Sequence, residues 1–459
     1  MNRTSAALLC AALTAFFGMA TAAFGAPTSP TPTPTMVPMT SPTQPASAAQ
    51  PTAVPTTLNL SQAEQIALAS SPQLTFARAV VDQSQAGIGV ARSGELPLID
   101  ASGRYTRQKT NAFTGTGQPS VLTTNSGNVS LSQLILDGGR VNAEVQASRY
   151  TTDSAKLTLL RDIQTVLLTV AQQYYAALQA RHQYQAALQS LSVARVQEKL
   201  VEAQYHAGVA SKADVLTAQL PVAQAELTLA SAQNGEAENV AALLTTMGLP
   251  ATTPVSLQDD TSVTAGNADL NALISTSLLQ RTDLSAAKAS VDSAQASVRA
   301  AKLAAFPVIG GTASSGTAST SQSGSNFASS WSLGASLTFP IYSGGLIKSQ
   351  ADEARAVEAQ TEANYKSVEL NVYLNVQQAY LGLLTASSSL NAAKVALDQA
   401  RVVLDVTNAQ FKAGVTTLPL LLNAQSQLTT AQSNYVQALY AYKIAQQNLL
   451  YSEGTLAPS

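Results

Sequence analysis

The stretch YHAGVASKADVLTAQ at 205–219 is written again as FKAGVTTLPLLLNAQ at 411–425, an offset of 206 residues. The likeness spreads from that pair without a gap. LDGGRV at 136–141 lies over YSGGLI at 342–347, and Gln172, Tyr174 and Leu178 lie over Gln378, Tyr380 and Leu384. Further on, Leu243 and Leu244 fall on Leu449 and Leu450, and Gly248 falls on Gly454. Upstream the offset becomes 210: VDQSQA at 81–86 matches VDSAQA at 291–296, and Pro97 matches Pro307. The difference of four residues (210 − 206) falls at about 98–130 of the first half. A chain that repeats itself over this length builds one unit twice, and any fold assigned to it must accommodate that duplication.

Each unit reads the same way. A helix opens at LNLSQAEQIALASSPQL (58–74), where Ser61 and Glu64 have the spacing of a capping box. It runs, interrupted at Pro72, to just before Pro97; its counterpart runs from about Asp269 to Phe306 and ends at Pro307. The period then changes to two. In SWSLGASLTF (330–339), Trp331, Leu333, Ala335, Leu337 and Phe339 take one face, and Ser330, Ser332, Gly334, Ser336 and Thr338 take the other. Segments 99–107, 128–135 and 308–315 are less regular strands, joined through Gly-, Ser-, Thr- and Asn-rich loops at 110–127 and 316–329.

After the second strand of each unit, the glycine pairs 138–139 and 344–345 turn the chain into a long helical run. Arg140–His206 contains neither Gly nor Pro, and Leu346–Lys412 contains only Gly382. A helix of 67 residues reaches about 100 Å at 1.5 Å per residue. The Ala-Gly-Val turn stops it, because Gly ends a helix at low steric cost. A second helix returns at about 212–247 and 418–451. Apolar rows such as Tyr184, Leu188, Leu191 and Val193, Val196, Leu200 follow helical spacing, while the other faces are Ala, Gln, Ser and Thr. Small faces admit neighbours on both sides. The neutral polar face suits a water-filled lumen and equally a solvated coiled coil, and periodicity leaves both open.

Composition narrows the classes. Charged residues are 11% of the chain against a usual value of about 25%, and the net charge is −2. That leaves no basic face for nucleic acid. No apolar run beyond the leader approaches the roughly 18 residues of a spanning helix, so any crossing of a bilayer would be made by strands. The leader, residues 1–26, has Arg3, an apolar stretch Ala6–Met19 and then small residues, the pattern of a secretory signal peptide. Ala22, Gly25 and Ala26 are all suitable cleavage points. The only cysteine, Cys10, lies inside it behind Leu9 rather than a small residue, which argues against a lipid anchor and leaves no thiol chemistry in the mature chain. Residues 27–57 are a Pro/Thr-rich tether. The expected organisation is thus 58–250 for the first repeat, 251–267 for a connector and 268–455 for the second repeat.

Four strands per chain cannot close a barrel, since the smallest membrane barrels need about eight. Open edges are not tolerated in hydrocarbon. Copies must associate, with eight strands from two or twelve from three as the simplest solutions.

The order of helix, strand pair, long helix, Ala-Gly-Val turn and returning helix resembles the TolC-like outer membrane efflux proteins. The likeness rests on LNLSQAEQIALASSPQL at the start, ILDGGR and PIYSGG after the strands, and YHAGV and FKAGV at the hairpin tips, and covers about 58–455. What it implies is a homotrimer, mainly α-helical, whose twelve-stranded β-barrel sits in outer membrane lipid and continues as a helical tunnel through the periplasm. Such proteins are the exit duct of tripartite efflux pumps or type I secretion systems, with a periplasmic adaptor and an inner-membrane transporter as partners. The resemblance also assigns adaptor docking to the tips, Ala207, Gly208, Val209, Ala413, Gly414 and Val415. It places a periplasmic gate at Asp214, Phe411, Thr416, Leu420 and Asn423. Thr416 stands where the family often has a basic residue, and Leu420 and Asn423 stand at acidic positions.

No enzyme, cofactor or metal constellation is expected. His182 and His206 are 24 residues apart without the spacing of a two-His metal site, and LDGGR lacks the Lys of a phosphate loop. DVLTAQ holds an Asp, Asp214, but sequence places no nucleophile or base beside it. Asp214 also fits a first-turn Asp favoured by the helix dipole. The alternative from another class is a coiled-coil protein bridging envelope layers without a pore. The alternating strand at 330–339 separates the two, because a bridge has no use for a continuous apolar sheet face.

Overall fold

The computed structural model describes residues 57–110, 120–259, 269–320 and 327–458; the leader and the tether up to residue 56 lie outside them. The first repeat runs β1 (Thr57–Leu58), α1 (Leu60–Ser70), α2 (Pro72–Ser93), β2 (Leu98–Thr110), β3 (Ser120–Leu136), α3 (Arg140–His206) and α4 (Lys212–Thr246). The second runs β4 (Ser256–Leu257), α5 (Leu270–Gln280), α6 (Thr282–Leu303), β5 (Val308–Thr320), β6 (Ala328–Thr338), α7 (Leu346–Lys412) and α8 (Leu418–Glu453).

Helix α1 begins earlier than the Ser61/Glu64 spacing suggests. Asn59 is the N-cap: its side-chain oxygen accepts from the Gln62 N–H at 2.8 Å, and its own N–H donates to Gln62 Oε1 at 3.1 Å. Asn caps at least as well as Ser, and here it takes both halves of the box. The helix expected to run unbroken from Asp269 to Phe306 is also corrected, since it breaks at Arg281, where φ −69° and ψ 117° are extended. The equivalent break in the first repeat is Ser71, held extended by the following Pro72.

What holds each break is the end of the returning helix. Gly248 and Gly454, both with φ near +80°, press onto the two breaks, the first against Ser70 O and the second against the Arg281 backbone. Arg161 fastens the second junction. Its guanidinium donates to Tyr451 O at 2.9 Å, covers the Tyr451 ring at 3.6 Å and stands 4.0 Å from Asp283, which also pairs with buried Arg281. Burial alone would raise the Asp283 carboxyl, but the Arg281 hydrogen bonds and charge, with Arg161 beyond, hold it below the usual carboxylate range.

Strands β1 and β4, parallel and two residues each, join the tether to the connector. Their short length hid them from the sequence. Tyr174 of α3, fully buried, donates to Leu58 O and Gln258 O, and Arg181 donates to Leu257 O at 2.6 Å. The contacts of α2 and α6 with α3 use small residues. Ser154 Oγ donates to Ala286 O, Ser293 Oγ to Ala147 O and Thr152 Oγ1 to Ser84 O, so α2 and α6 both lie close against α3. Hydroxyls capping a neighbour's carbonyls at about 3 Å require backbones near each other, which larger side chains would prevent.

Candidate functional site

Strand order in the main sheet is β2-β3-β5-β6, all neighbours antiparallel. The strands continue into helices packed in the same sequence, α2, α3, α6 and α7. Each strand is longer than its sequence pattern indicates. Segments 120–127 and 316–320, read from sequence as loop, belong to β3 and β5. Thr favours strand, but the Gly, Ser and Asn interspersed with it do not; here the ladder holds them all extended, with Thr124 opposite Thr320 and Gly127 opposite Thr317. The loop tips 111–119 and 321–326 lie outside the described residues. Thirteen residues of β2 extend about 43 Å, which at a tilt of about 40° spans hydrocarbon.

Register sorts the side chains onto two unlike faces. One level of the first face reads Ile99, Leu131, Ala313, Leu333; the next reads Ala101, Val129, Ser315, Trp331. The opposite face reads Asp100, Ser130, Ser314, Ser332, with Ser314 and Ser332 hydroxyls 2.8 Å apart. Trp331, Leu333 and Leu337 are each about two-thirds or more exposed, a surface far too apolar for water. Both outer edges, β2 and β6, have no strand partner among the described residues. An apolar face, a hydroxyl face and two free edges make a segment of barrel wall. No helix among the described residues is long and apolar enough to cross a membrane.

At the far end of the long helices, Ala207 and Ala413 are the C-caps. Gly208 and Gly414 follow with φ +78° and +73°, and the Val209 and Val415 N–H groups reach back to Gln204 O and Gln410 O. This is a Schellman turn at both tips. Val209 and Val415 are nearly four-fifths exposed, so the apolar residue that ends such a turn is left without cover.

The residues that the sequence resemblance assigns to a gate fall on two separate hairpins. Asp214 closes a capping box: its Oδ2 accepts from Ser211 N at 2.8 Å and from Ser211 Oγ at 2.7 Å. These bonds hold its carboxyl below the usual range. On the second hairpin Phe411 and Thr416 are half-buried, Leu420 and Asn423 are exposed, and Asn423 Oδ1 accepts from Gln427 at 2.9 Å. His182, read as solvated or structural, meets Asp259 at 2.8 Å beside the Tyr440 ring. Among the described residues no cluster has the makings of a metal site. Sequence reasoning missed the Arg161–Asp283–Arg281 cluster, whose members lie about 120 positions apart (283 − 161 = 122).

A family model described as outer membrane efflux protein matches residues 64–249 and 273–455. Protein CyaE of Bordetella pertussis is 29% identical over 392 residues, covering 84% of this chain and 81% of that one. Outer membrane protein TolC of Escherichia coli is 27% identical over 420 residues, covering 87% and 82%. The crystal structure of the Campylobacter jejuni CmeC outer membrane channel aligns with a TM-score of 0.76 at 18% identity, over 86% of this chain and 85% of that one.

Proposed function

The chain belongs to the outer membrane efflux protein family, and on that premise we propose that it is the exit duct of a tripartite efflux pump or type I secretion system. Three copies supply twelve strands, and β6 of each copy closes on β2 of the next. The barrel stands in the outer membrane and the helices continue it as a tunnel in the periplasm, where an adaptor and an inner-membrane transporter complete the path. The observation that carries this reading is the sheet, apolar on one face, hydroxyl-lined on the other and open at both edges. A non-pore bridge would leave both the apolar face and the edges without purpose. The duct is a passive conduit rather than a catalyst.

The exposed tips, Ala207-Gly208-Val209 and Ala413-Gly414-Val415, dock the adaptor, which covers Val209 and Val415. Asp214, Phe411, Thr416, Leu420 and Asn423 form the periplasmic constriction. Its acidic content is low, since Leu420 and Asn423 carry no charge and Asp214 is engaged by Ser211. Mass determination of the detergent-solubilised complex, followed by planar-bilayer conductance, tests the duct. The expected result is a conducting trimer, and a stable monomer or dimer would refute the twelve-strand barrel.

A further inference from the structure

All the charges in the described part of the main sheet lie on one strand. β3, β5 and β6 have none, whereas β2 carries Asp100, Arg104, Arg107 and Lys109. Strand parity divides them. Asp100 and Arg104 pair with Ser130 and Ser126 on the hydroxyl face. Arg107 and Lys109 pair with Thr123 and Val121, on the same face as Ile99, Leu131 and Trp331. Two cations therefore project from the lipid side of the wall, two residues apart along the strand.

Their depth is set by aromatic neighbours. Tyr105 lies at the level of Asn125 and Ser319, and Phe327 directly precedes Ala328, the residue of β6 that pairs with Ala318. Arg107 and Lys109 stand one and two levels beyond Tyr105, away from the helices. One level below Tyr105 the face reads Gly103, Gly127, Thr317 and Ser329, and from Ala101, Val129 and Trp331 down to Ile99 and Leu337 it is predominantly apolar; an aromatic residue above such a band marks the membrane interface. Both cations are exposed, and among the described residues neither has a carboxylate on that face. A bare Arg–Lys pair at the headgroup level of the outer leaflet has one complementary neighbour there, the phosphate of a lipid.

We propose that Arg107 and Lys109 form a docking site for the phosphorylated headgroup of an outer-leaflet glycolipid, three sites per assembly. The inference rests on the trimeric duct described above. Arg guanidinium bonds phosphate through two N–H groups and Lys adds a point charge, about 7 Å along the strand. The site ties the outer rim of the barrel to the leaflet without a new protein partner.

The test uses the full-length trimer in detergent, with bisphosphorylated lipid A as probe and bound lipid counted by native mass spectrometry. Arg107→Ser with Lys109→Ser should weaken binding roughly thirtyfold, about fivefold for each basic side chain. Arg104→Ser removes one positive charge from the same strand on the other face and should leave binding unchanged. Arg107→Lys should retain it. Lipid A stripped of its phosphates should bind as weakly as the double variant. Unchanged binding in the double variant, an equal loss in Arg104→Ser, or full competition by inorganic phosphate would each overturn the inference. A conducting trimer with any of these results sinks only this inference, whereas an unmodified protein that neither trimerises nor conducts sinks the duct itself.

Discussion

Three glycines share one backbone conformation in three different surroundings, and that separates two costs usually measured together. Gly208, Gly454 and Gly248 have φ of +78°, +78° and +79°. Alanine at any of them incurs the left-handed backbone cost of about 1 kcal/mol. At Gly208 an added Cβ would meet nothing within 4 Å, so the cost ends there. At Gly454 it would lie 3.1 Å from three atoms of Arg281, two of them in the backbone, which must yield by a few tenths of an ångström. At Gly248 it would lie 2.4 Å from Ser70 O and 2.9 Å from Ser70 C, atoms that cannot rotate away. About 1 Å of displacement between two packed helices adds roughly 1–3 kcal/mol, giving about 2–4 in all. The expected order of destabilisation per chain is Gly208→Ala, then Gly454→Ala, then Gly248→Ala. Urea unfolding of the detergent-solubilised protein, followed by far-ultraviolet circular dichroism, reads it. Equal midpoints for Gly248→Ala and Gly208→Ala would show that the helix break is not seated on the glycine, and the account of how each repeat is locked would fail.

The other expectations follow from the same structure. Asp283→Asn leaves Arg281, 3% exposed, without its charge partner and should cost about 3 kcal/mol in the same assay. Because the Asp283 carboxyl is held low, its contribution is present above about pH 4 and is lost as pH falls through its folded value; acid titration of stability should therefore bring wild type and variant together, and parallel curves would exclude the linkage. Trivalent cations added from the periplasmic side should block the unmodified channel only weakly, and Leu420→Asp with Asn423→Asp, by placing six carboxylates in the trimer's constriction, should create tight block in single-channel recordings. Tags at Gly117 and Gly324, outside the described residues, should be reached by antibody on intact cells; labelling only after outer-membrane rupture would invert the topology.

The long helices were legible because sequence marks them by omission: nothing between Arg140 and His206 can stop a helix, and a glycine with positive φ follows at once. Strand β6 was legible because its alternation is complete. The outer ends of β3 and β5 were not, since the Gly, Ser and Asn there interrupt any alternation and take strand geometry from the backbone opposite them, and a partner across a sheet leaves no local pattern. The break at Arg281 was legible only indirectly. It has no proline of its own, but the offset of 210 places it on Ser71, beside Pro72. The tips were readable as turns from Ala-Gly-Val alone. That Asp214 serves Ser211 required geometry, because the same Asp in the same position fits either a cap or a gate.

The two tips are held differently. Their helix-ending turns are the same, but their helix starts differ. Ser211 and Asp214 cap α4 reciprocally, whereas Thr417 makes no side-chain cap on α8, and Leu420 occupies the place of the carboxylate. A side-chain cap is worth about 1 kcal/mol. Pro419, in the first turn of α8, restores part of this through its fixed φ but offers no N–H to protect. The start of α8 is therefore held by Thr417 O alone, which accepts from Leu420 and Leu421 at 3.2 and 3.3 Å; Ser211 O accepts from Asp214 and Val215 at a similar 3.1 and 3.4 Å, and the side-chain cap is what α4 has in addition. Around the trimer, capped and uncapped starts alternate, and the uncapped ones are expected to be the looser. Hydrogen exchange read by mass spectrometry should be several-fold faster at Leu420 and Leu421 than at Asp214 and Val215, the factor expected from about 1 kcal/mol. Ser211→Ala should bring the first tip to the rate of the second. Equal protection in the unmodified protein would mean that neighbouring copies, not local caps, decide which hairpin moves.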